Sequence, residues 1–320
     1  MQDNYAYLYR IAKLYYEGGL SQNEIADREF ISRPQVSRFL DRAKRLGIVR
    51  IIVEMPDSLQ YADLKTTIKS SLKMQDVLVV PVTAKSEENE GLFIQEFAFG
   101  SMDYITALLD NKKVVGLGWG RTLYNIALQL PNLQHSERIF VPLMGNSGVH
   151  NRYLQVTTIV NRFGERYGAE CFYLNMPIAR DTNFELTPFE KSTLNELKGY
   201  WNRMDAALVG LGPALRKSNF YYDEITPAVL ERYNYDFRAM GEMISQAFYE
   251  DGSSSWFGPG YNWAAIDLQH FKSISNTILV AGGYNKHEAI YWACKLGFCK
   301  ILITDNETAL AMVRLIEQGI

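Results

Sequence analysis

Cysteine is scarce and poorly placed for cross-linking: Cys171, Cys294 and Cys299 are odd in number and include no CxxC pair. That excludes a disulfide framework and a structural zinc site of familiar spacing, and predicts reduced thiols. The four histidines, His135, His150, His270 and His287, fall in no HExxH or comparable ligand spacing, so no metal or other cofactor is expected. No window approaches the ~18 uninterrupted apolar residues of a membrane span. The polar start MQDNYAYLYR lacks the charged and apolar regions of a signal peptide. A cytoplasmic chain with no membrane partner is the expectation. There is also no general excess of positive charge, since the formal net charge is −3. Any use of cationic attraction must therefore be local.

What is present is globular. Apolar residues make up 47% and aromatics 13% of 320 residues, enough for a substantial core and against wholesale disorder. That length exceeds what one ordinary core holds, so at least two domains are expected.

The local charge lies in SQNEIADREFISRPQVSRFLDRAKRLGIVR, residues 21–50. Ser21 followed by Glu24 is the reciprocal capping pattern of a helix start, with Ile25 and Ala26 as the inward face. Residues 28–32 interrupt it, and Pro34 suits the first turn of a second helix. Val36, Phe39, Leu40, Ala43 and Leu46 recur at helical spacing, which leaves Arg33, Gln35, Ser37, Arg38, Arg42 and Arg45 on the other face. From Arg33 to Arg50 five Arg and one Lys stand against Asp41 alone, a balance of +5. A capped helix, a turn and a basic second helix are the layout of a helix-turn-helix reading the major groove. Residues 5–17, with Leu8, Ile11, Ala12 and Tyr15 inward and Gly18-Gly19 as a stop, supply a third helix. IVRIIVEM is strand-like and reads as a wing. Residues 1–55 are thus expected to form a winged helix-turn-helix that binds DNA through Ser21, Arg33, Gln35, Ser37, Arg38, Arg42 and Arg45.

Residues 56–75 read as a linker helix whose Leu64, Ile68 and Leu72 stripe could pack on its own domain but, from its place between reader and main body, is expected to pair protomers. From residue 76 to 320 short apolar runs alternate with helical segments: DVLVVPV, KVVGLGWG, RIFVPLMG, ECFYLN, DAALVGLG, NTILVAGG and KILITD. Fully apolar strands separated by helices imply an α/β domain built on a mostly parallel sheet, in which ligands sit beyond the carboxyl ends of the strands. Four strands end in glycine turns, expected to gather at one edge: Gly116, Gly118 and Gly120; Gly145 with Asn146; Gly210 and Gly212; Gly282 and Gly283. Glycines let backbone approach a ligand, and Arg121 with Thr122 and Lys286 add donors that suit phosphate. Neither the dinucleotide fingerprint nor GxxxxGK[ST] occurs. Lys286 is expected to act as a charge rather than a Schiff base, because Asn285 and His287 suggest a wet, polar mouth.

YYEGGLSQNEIADREFISRPQVSRFLDRAKRLGIV, VGLGWGRTL, YWNRMDAALVGLG, VAGGYNKHEAI and ILITDNETA together resemble the SorC family of bacterial sugar-responsive transcriptional regulators, along the whole chain. YWNRMDAALVGLGPA looks particularly like regulators of sorbose or sorbitol operons. The resemblance implies a winged helix-turn-helix fused to a sugar-binding domain similar to sugar-phosphate isomerases and deaminases. It further implies a homotetramer, operator DNA as partner and a sugar or sugar-phosphate effector, with no catalytic role. It places phosphate-gripping positions on Arg121, Thr122, Gly145 and Lys286, within an effector set of Gly118, Trp119, Gly120, Asn146, Gly212, Tyr249, Asp251, Gly282 and Gly283. AFYEDG departs from the family by putting Tyr249 at an effector-touching Asp position, and PLMGN puts Asn146 where a second glycine is common. The alternative from another class is a sugar-phosphate isomerase or deaminase with a DNA-binding head, for which Asp251, Asp267 and His287 are the nominees for a base.

Overall fold

The computed structural model describes residues 5–49, 61–133, 137–146, 155–213, 238–256 and 261–319. The chain divides into two compact units, Met1–Pro56 and Asp57–Ile320. The expected wing falls mostly on residues 50–60, outside the described residues, as do His135 and His150.

The first unit holds three helices, α1 (Tyr5–Tyr16), α2 (Gln22–Glu29) and α3 (Arg33–Arg45). Their small core is made by Leu8, Ile11, Ala12, Ile25, Ala26, Val36, Leu40 and Ala43. Of the expected inward face of α3, Phe39 is half-buried and Leu46 is exposed, because the helix ends at Arg45 and Leu46 leaves its stripe. Both α2 and α3 begin with reciprocal caps. Ser21 N–H donates to Glu24 at 2.8 Å while Glu24 N–H donates to Ser21 Oγ at 3.3 Å. Ser32 N–H and Oγ–H both donate to Gln35 Oε1, at 2.9 and 3.0 Å. Such caps matter in a core of this size, since each is worth about 1 kcal/mol.

The second unit is organised by a seven-stranded parallel sheet: β1 (Asp76–Val80), β2 (Val114–Leu117), β3 (Ile139–Pro142), β4 (Glu170–Cys171), β6 (Ala206–Val209), β11 (Asn276–Val280) and β12 (Ile301–Asp305), in the order β1-β12-β11-β6-β2-β3-β4. Every apolar run singled out in the sequence supplies one of these strands. Helices α4 (Ala62–Ser71), α5 (Glu90–Leu108), α6 (Arg121–Gln129), α7 (Val156–Tyr167), α8 (Pro188–Trp201), α9 (Leu268–Ser273), α10 (His287–Lys295) and α11 (Asn306–Glu317) accompany it. The set α5, α6, α7 packs in series, and so does α4, α11, α10. Because strand order reverses between β6 and β2, right-handed crossovers put the two sets on opposite faces. Two antiparallel additions go beyond the alternating pattern of the sequence: β5 (Ala179–Asp181) with β10 (Tyr261–Trp263), and the meander β7 (Gly241–Met243), β8 (Gln246–Phe248), β9 (Ser254–Trp256).

The structure corrects the role expected of the linker helix. Ile68 is fully buried within the second unit's own core, and α4 packs on β1 and α11. Lys65 and Lys69 reach Asp76 at the start of β1, at 3.3 and 3.4 Å, which fixes the helix from its polar side. Ile68 is thus covered by its own chain, and Leu64 and Leu72 are half-buried against the same core. Ile68→Glu is accordingly expected to destabilise the second unit by more than about 4 kcal/mol, as a buried unpaired charge does. Thermal unfolding checks it: a variant that melts like the parent yet sediments at lower mass would return the stripe to an assembly role.

Candidate functional site

The glycine turns do gather at one edge, because parallel strands present their carboxyl ends together. Where strand order reverses, Gly118 after β2 and Gly210 after β6 lie side by side: Gly118 N–H donates to Leu208 O at 2.9 Å, and a Cβ on Gly210 would stand 3.4 Å from Trp119 O. This is the switch point at which open α/β sheets leave a crevice for ligands.

Helix N-termini at this edge differ in what they still offer. Asp305 caps α11, its carboxylate accepting from Thr308 N–H at 2.9 Å and from Gly283 N–H at 3.0 Å. Tyr284 N–H donates to Ser86 Oγ at 2.9 Å and Lys286 N–H to Gly283 O at 3.0 Å. The VAGG turn therefore spends these amides internally, contrary to the expectation that they face a ligand. A Cβ on Gly282 would meet Asp305 at 2.2 Å, which is why glycine is required there. At the end of β3, Gly145 packs against the 176–178 backbone, where a Cβ would come within 2.7 Å of Met176 O. Asn146 Oδ1 accepts from Thr157 N–H at 3.2 Å and caps the start of α7. Gly145 and Asn146 are thus held by neighbouring backbone and helix.

The N-terminus of α6 is different. Gly120 has φ +130° with no atom within 4 Å of a would-be Cβ, a conformation that favours glycine. Among the described residues no acceptor stands against the N–H groups of Thr122 and Leu123. Open first-turn amides with the helix dipole behind them suit an anion.

Charged side chains from four separate elements lie within electrostatic reach of one another at this edge. Arg121 Nη1 pairs with Glu90 Oε2 at 2.7 Å, the carboxylate coming from the first turn of α5. Lys286 feels Arg121, Glu90 and Glu242, so all four groups share one electrostatic environment. Its side chain is half-buried, and desolvation, followed by the Arg121 charge, pulls the ammonium down to about 8. That corrects the wet mouth inferred from Asn285 and His287. Lysine here remains mostly charged at neutral pH, yet is closer to a nucleophilic free amine than an ordinary one.

Glu242, on β7, is buried, and no sequence motif marks it. Its backbone exchanges hydrogen bonds with Gly212, Gly212 N–H to Glu242 O at 2.9 Å and Glu242 N–H to Gly212 O at 3.2 Å. A Cβ at Gly212 would lie 2.7 Å from Glu242 Oε2, so that glycine admits the carboxylate. Glu242 Oε1 also accepts from Ser245 N–H at 2.6 Å, holding a turn in which Ile244 and Ser245 both have left-handed φ, 53° and 57°. The sequence carries no Asn-Gly signal for such a turn, which hides both the hairpin and the acid it positions. Glu90 escapes sequence reasoning as well, because its partner Arg121 is distant in sequence and only packing of α5 on α6 joins them.

Tyr249 and Asp251 are not brought to this edge. Asp251 Oδ1 accepts from Ser253 N–H at 2.9 Å, and Tyr249 Oη lies 2.8 Å from Ser255 Oγ. Gly252 in the same turn lies against Leu296, at the carboxyl end of α10, whereas Lys286 sits at that helix's amino end. Asp267 caps α9, accepting from Gln269 N–H at 2.8 Å, and His287 packs edge-on to Tyr284. What converges is two cations, two carboxylates and an open helix terminus, a mixture that can grip an anion at one end and accept hydroxyl hydrogen bonds at the other.

In the first unit Arg33, Arg38, Arg42 and Arg45 are all exposed on α3, while Ser37 is half-buried. Arg38 Nε donates to Pro34 O at 3.3 Å. Gln35 is half-buried with its carboxamide oxygen on Ser32, so its amide nitrogen is the part left to reach outward. Ser21 spends its hydroxyl oxygen on the α2 cap.

Known proteins share this organisation. The chain is 24% identical over 320 residues to a sorbitol operon regulator of Klebsiella pneumoniae, covering 98% of this chain and 99% of that protein. It is 26% identical over 307 residues to a deoxyribonucleoside regulator of Bacillus subtilis (strain 168), covering 94% and 95%. The crystal structure of the full-length sorbitol operon regulator SorC from Klebsiella pneumoniae shares the fold, with a TM-score of 0.71 over 98% of this chain and 100% of that one at 24% identity. No described helix is long and apolar enough to cross a membrane. The family model Sugar-bind, a sugar-binding domain, matches residues 57–314, which spans nearly all of the second unit, and the chain belongs to that family, as its resemblance to SorC-type regulators implied.

Proposed function

We propose that this protein is a DNA-binding transcriptional regulator of a sugar or polyol catabolic operon. In this reading α3 reads operator DNA, and a sugar or sugar phosphate at the glycine edge of the second unit modulates that binding in a homotetramer. The observation that carries it is the pairing, in one chain, of an exposed basic helix behind two capping boxes with an open α6 N-terminus flanked by Arg121 and Lys286. The relatives' names as operon and nucleoside regulators support the same reading. Sensing is favoured over turnover because two of the nominees for a base, Asp251 and Asp267, are engaged as turn and helix caps. The effector's anionic end takes the Thr122 and Leu123 amides with Arg121 and Lys286; Glu90 and Glu242 accept its hydroxyls. A thermal-shift screen of free and phosphorylated sugars and polyols, with the ligand recovered intact afterwards, tests this.

At the DNA surface, Arg33, Gln35 and Arg38 are assigned to base edges and Arg42 and Arg45 to phosphates, since the amino end of a recognition helix lies deepest in the groove. Arg42→Ala is expected to weaken binding alike on a selected duplex and on random DNA, and to reduce the salt slope by about one unit. Titrations across salt concentrations decide it, and a loss confined to the selected duplex would reassign Arg42 to base reading.

At the effector site, Lys286→Met should abolish the effector-dependent change in DNA affinity and leave effector-free binding intact. Borohydride treatment with effector should trap no adduct on the parent protein; a trapped adduct would make the lysine covalent.

The pH dependence follows from the depressed lysine. A bound anion favours the charged form and so raises the Lys286 pKa from about 8. Affinity for a phosphosugar is therefore full below that value and falls as pH rises through it, by at most about tenfold per pH unit. Calorimetric titration at neutral and alkaline pH reads this directly, the phosphate itself being ionised throughout. A flat profile would remove Lys286 from contact with the anion.

A further inference from the structure

Phe30 is the most exposed of the large apolar side chains among the described residues, at 94%, and it holds φ +55°, ψ +43° as the residue closing α2. Either feature alone is unremarkable in a protein surface. Together they are costly: a left-handed backbone position strains any residue with a Cβ, and an aromatic ring left in water forfeits its burial. Glycine would relieve both costs, and asparagine would remove the ring while tolerating the left-handed backbone better than phenylalanine. The helix-ending hydrogen bonds support the backbone position, but nothing within the unit covers the ring, and that points to a use outside it.

The surroundings indicate the partner. Phe30 lies two residues before Ser32, which caps the recognition helix, so it stands at the amino end of α3. Arg28 and Arg33 flank it and are exposed. An apolar tip with an exposed arginine on either side along the chain, and with the adjacent Glu29 neutralised by Arg10, suits nucleic acid, where the cations meet phosphates. The major groove displays one apolar group on its base edges, the thymine C5-methyl, and Phe is among the side chains that contact it. The main-chain fold of the turn is itself secured, since Phe30 N–H donates within the α2 cap to Ala26 O and Ile31 N–H also donates to Ala26 O at 3.0 Å. The ring is thus presented on a fixed pedestal.

We propose that Phe30 is a specificity-determining residue that packs on a thymine methyl at the edge of the operator half-site. This rests on the reading of α3 as the DNA-binding helix and adds to it a contact made from the turn.

The test uses the full chain and a duplex selected by the parent protein from a random library. Phe30→Gly is expected to melt no lower than the parent, because glycine suits the backbone there, and to bind the selected duplex about tenfold more weakly. Replacing single thymines by uracil, which removes only the methyl, should find a position where the parent loses about fourfold, the ~0.8 kcal/mol of one buried methyl group. At that position Phe30→Gly should lose nothing. Equal affinity of Phe30→Gly and parent, or uracil effects that are the same in both, overturns the proposal. A fall in sedimentation mass on Phe30→Gly overturns it in favour of contact with a second copy. Failure of the parent to select any duplex is a separate result, which removes the DNA-binding reading itself.

Discussion

Parallel pairing of β2 with β6 is the constraint on which the second unit depends. From this pair β3 and β4 extend the sheet one way and β11, β12 and β1 the other. The reversal sends the crossover helices of the two halves to opposite faces, and the loops leaving β2 and β6 meet where the order turns. A parallel sheet covered on both faces is built from apolar strands, so β2 and β6 are buried throughout without a polar side chain, and β12 turns polar only at its carboxyl end, at Thr304 and Asp305. Chemistry is thereby confined to the loops beyond the carboxyl ends.

The contents of that edge are set by competition for amides. Asp305, Asn146 and Asn89 each spend a side-chain oxygen on the start of a helix, at α11, α7 and α5. α6 begins with Gly120 instead, which has no side chain to fold back, and among the described residues no acceptor stands against the Thr122 and Leu123 amides. The same glycine that forfeits a cap leaves a helix terminus of the kind that suits an anion. Arg121 and Lys286 raise the potential there while Glu90 and Glu242 moderate it.

In the first unit the balance is different. Its core is small, and reciprocal caps at Ser21–Glu24 and Ser32–Gln35 hold helices that apolar burial alone would hold weakly. Capping also orients α3, because the amino end carrying Arg33 is anchored by the Ser32 cap. Gln35 illustrates the cost of reading a helical face from sequence: its position is outward, yet its carboxamide oxygen is occupied by the cap.

The parts of this protein legible in its sequence are those governed by local patterns. Ser21 with Glu24, Pro34 and the 3.6-residue period specify the three-helix unit, and seven apolar runs separated by helices specify a parallel sheet with glycine turns at one edge. Burial and hydrogen bonding along a single element decide these, and both leave a periodic trace. Tertiary structure alone decided the rest. The Ile68 stripe has the pattern of an assembly surface, but a stripe does not record which face covers it, and α11 with β1 does so. The VAGG amides have no acceptor nearby in sequence, yet Asp305 and Ser86, remote along the chain, accept from them. Tyr249 and Asp251 lie toward the far end of α10, whereas Glu242 reaches the site through a turn of Ile244 and Ser245 that no turn signal announces. A site assembled from several strand ends is fixed by sheet order, and sheet order is a property of long-range pairing that no single segment encodes.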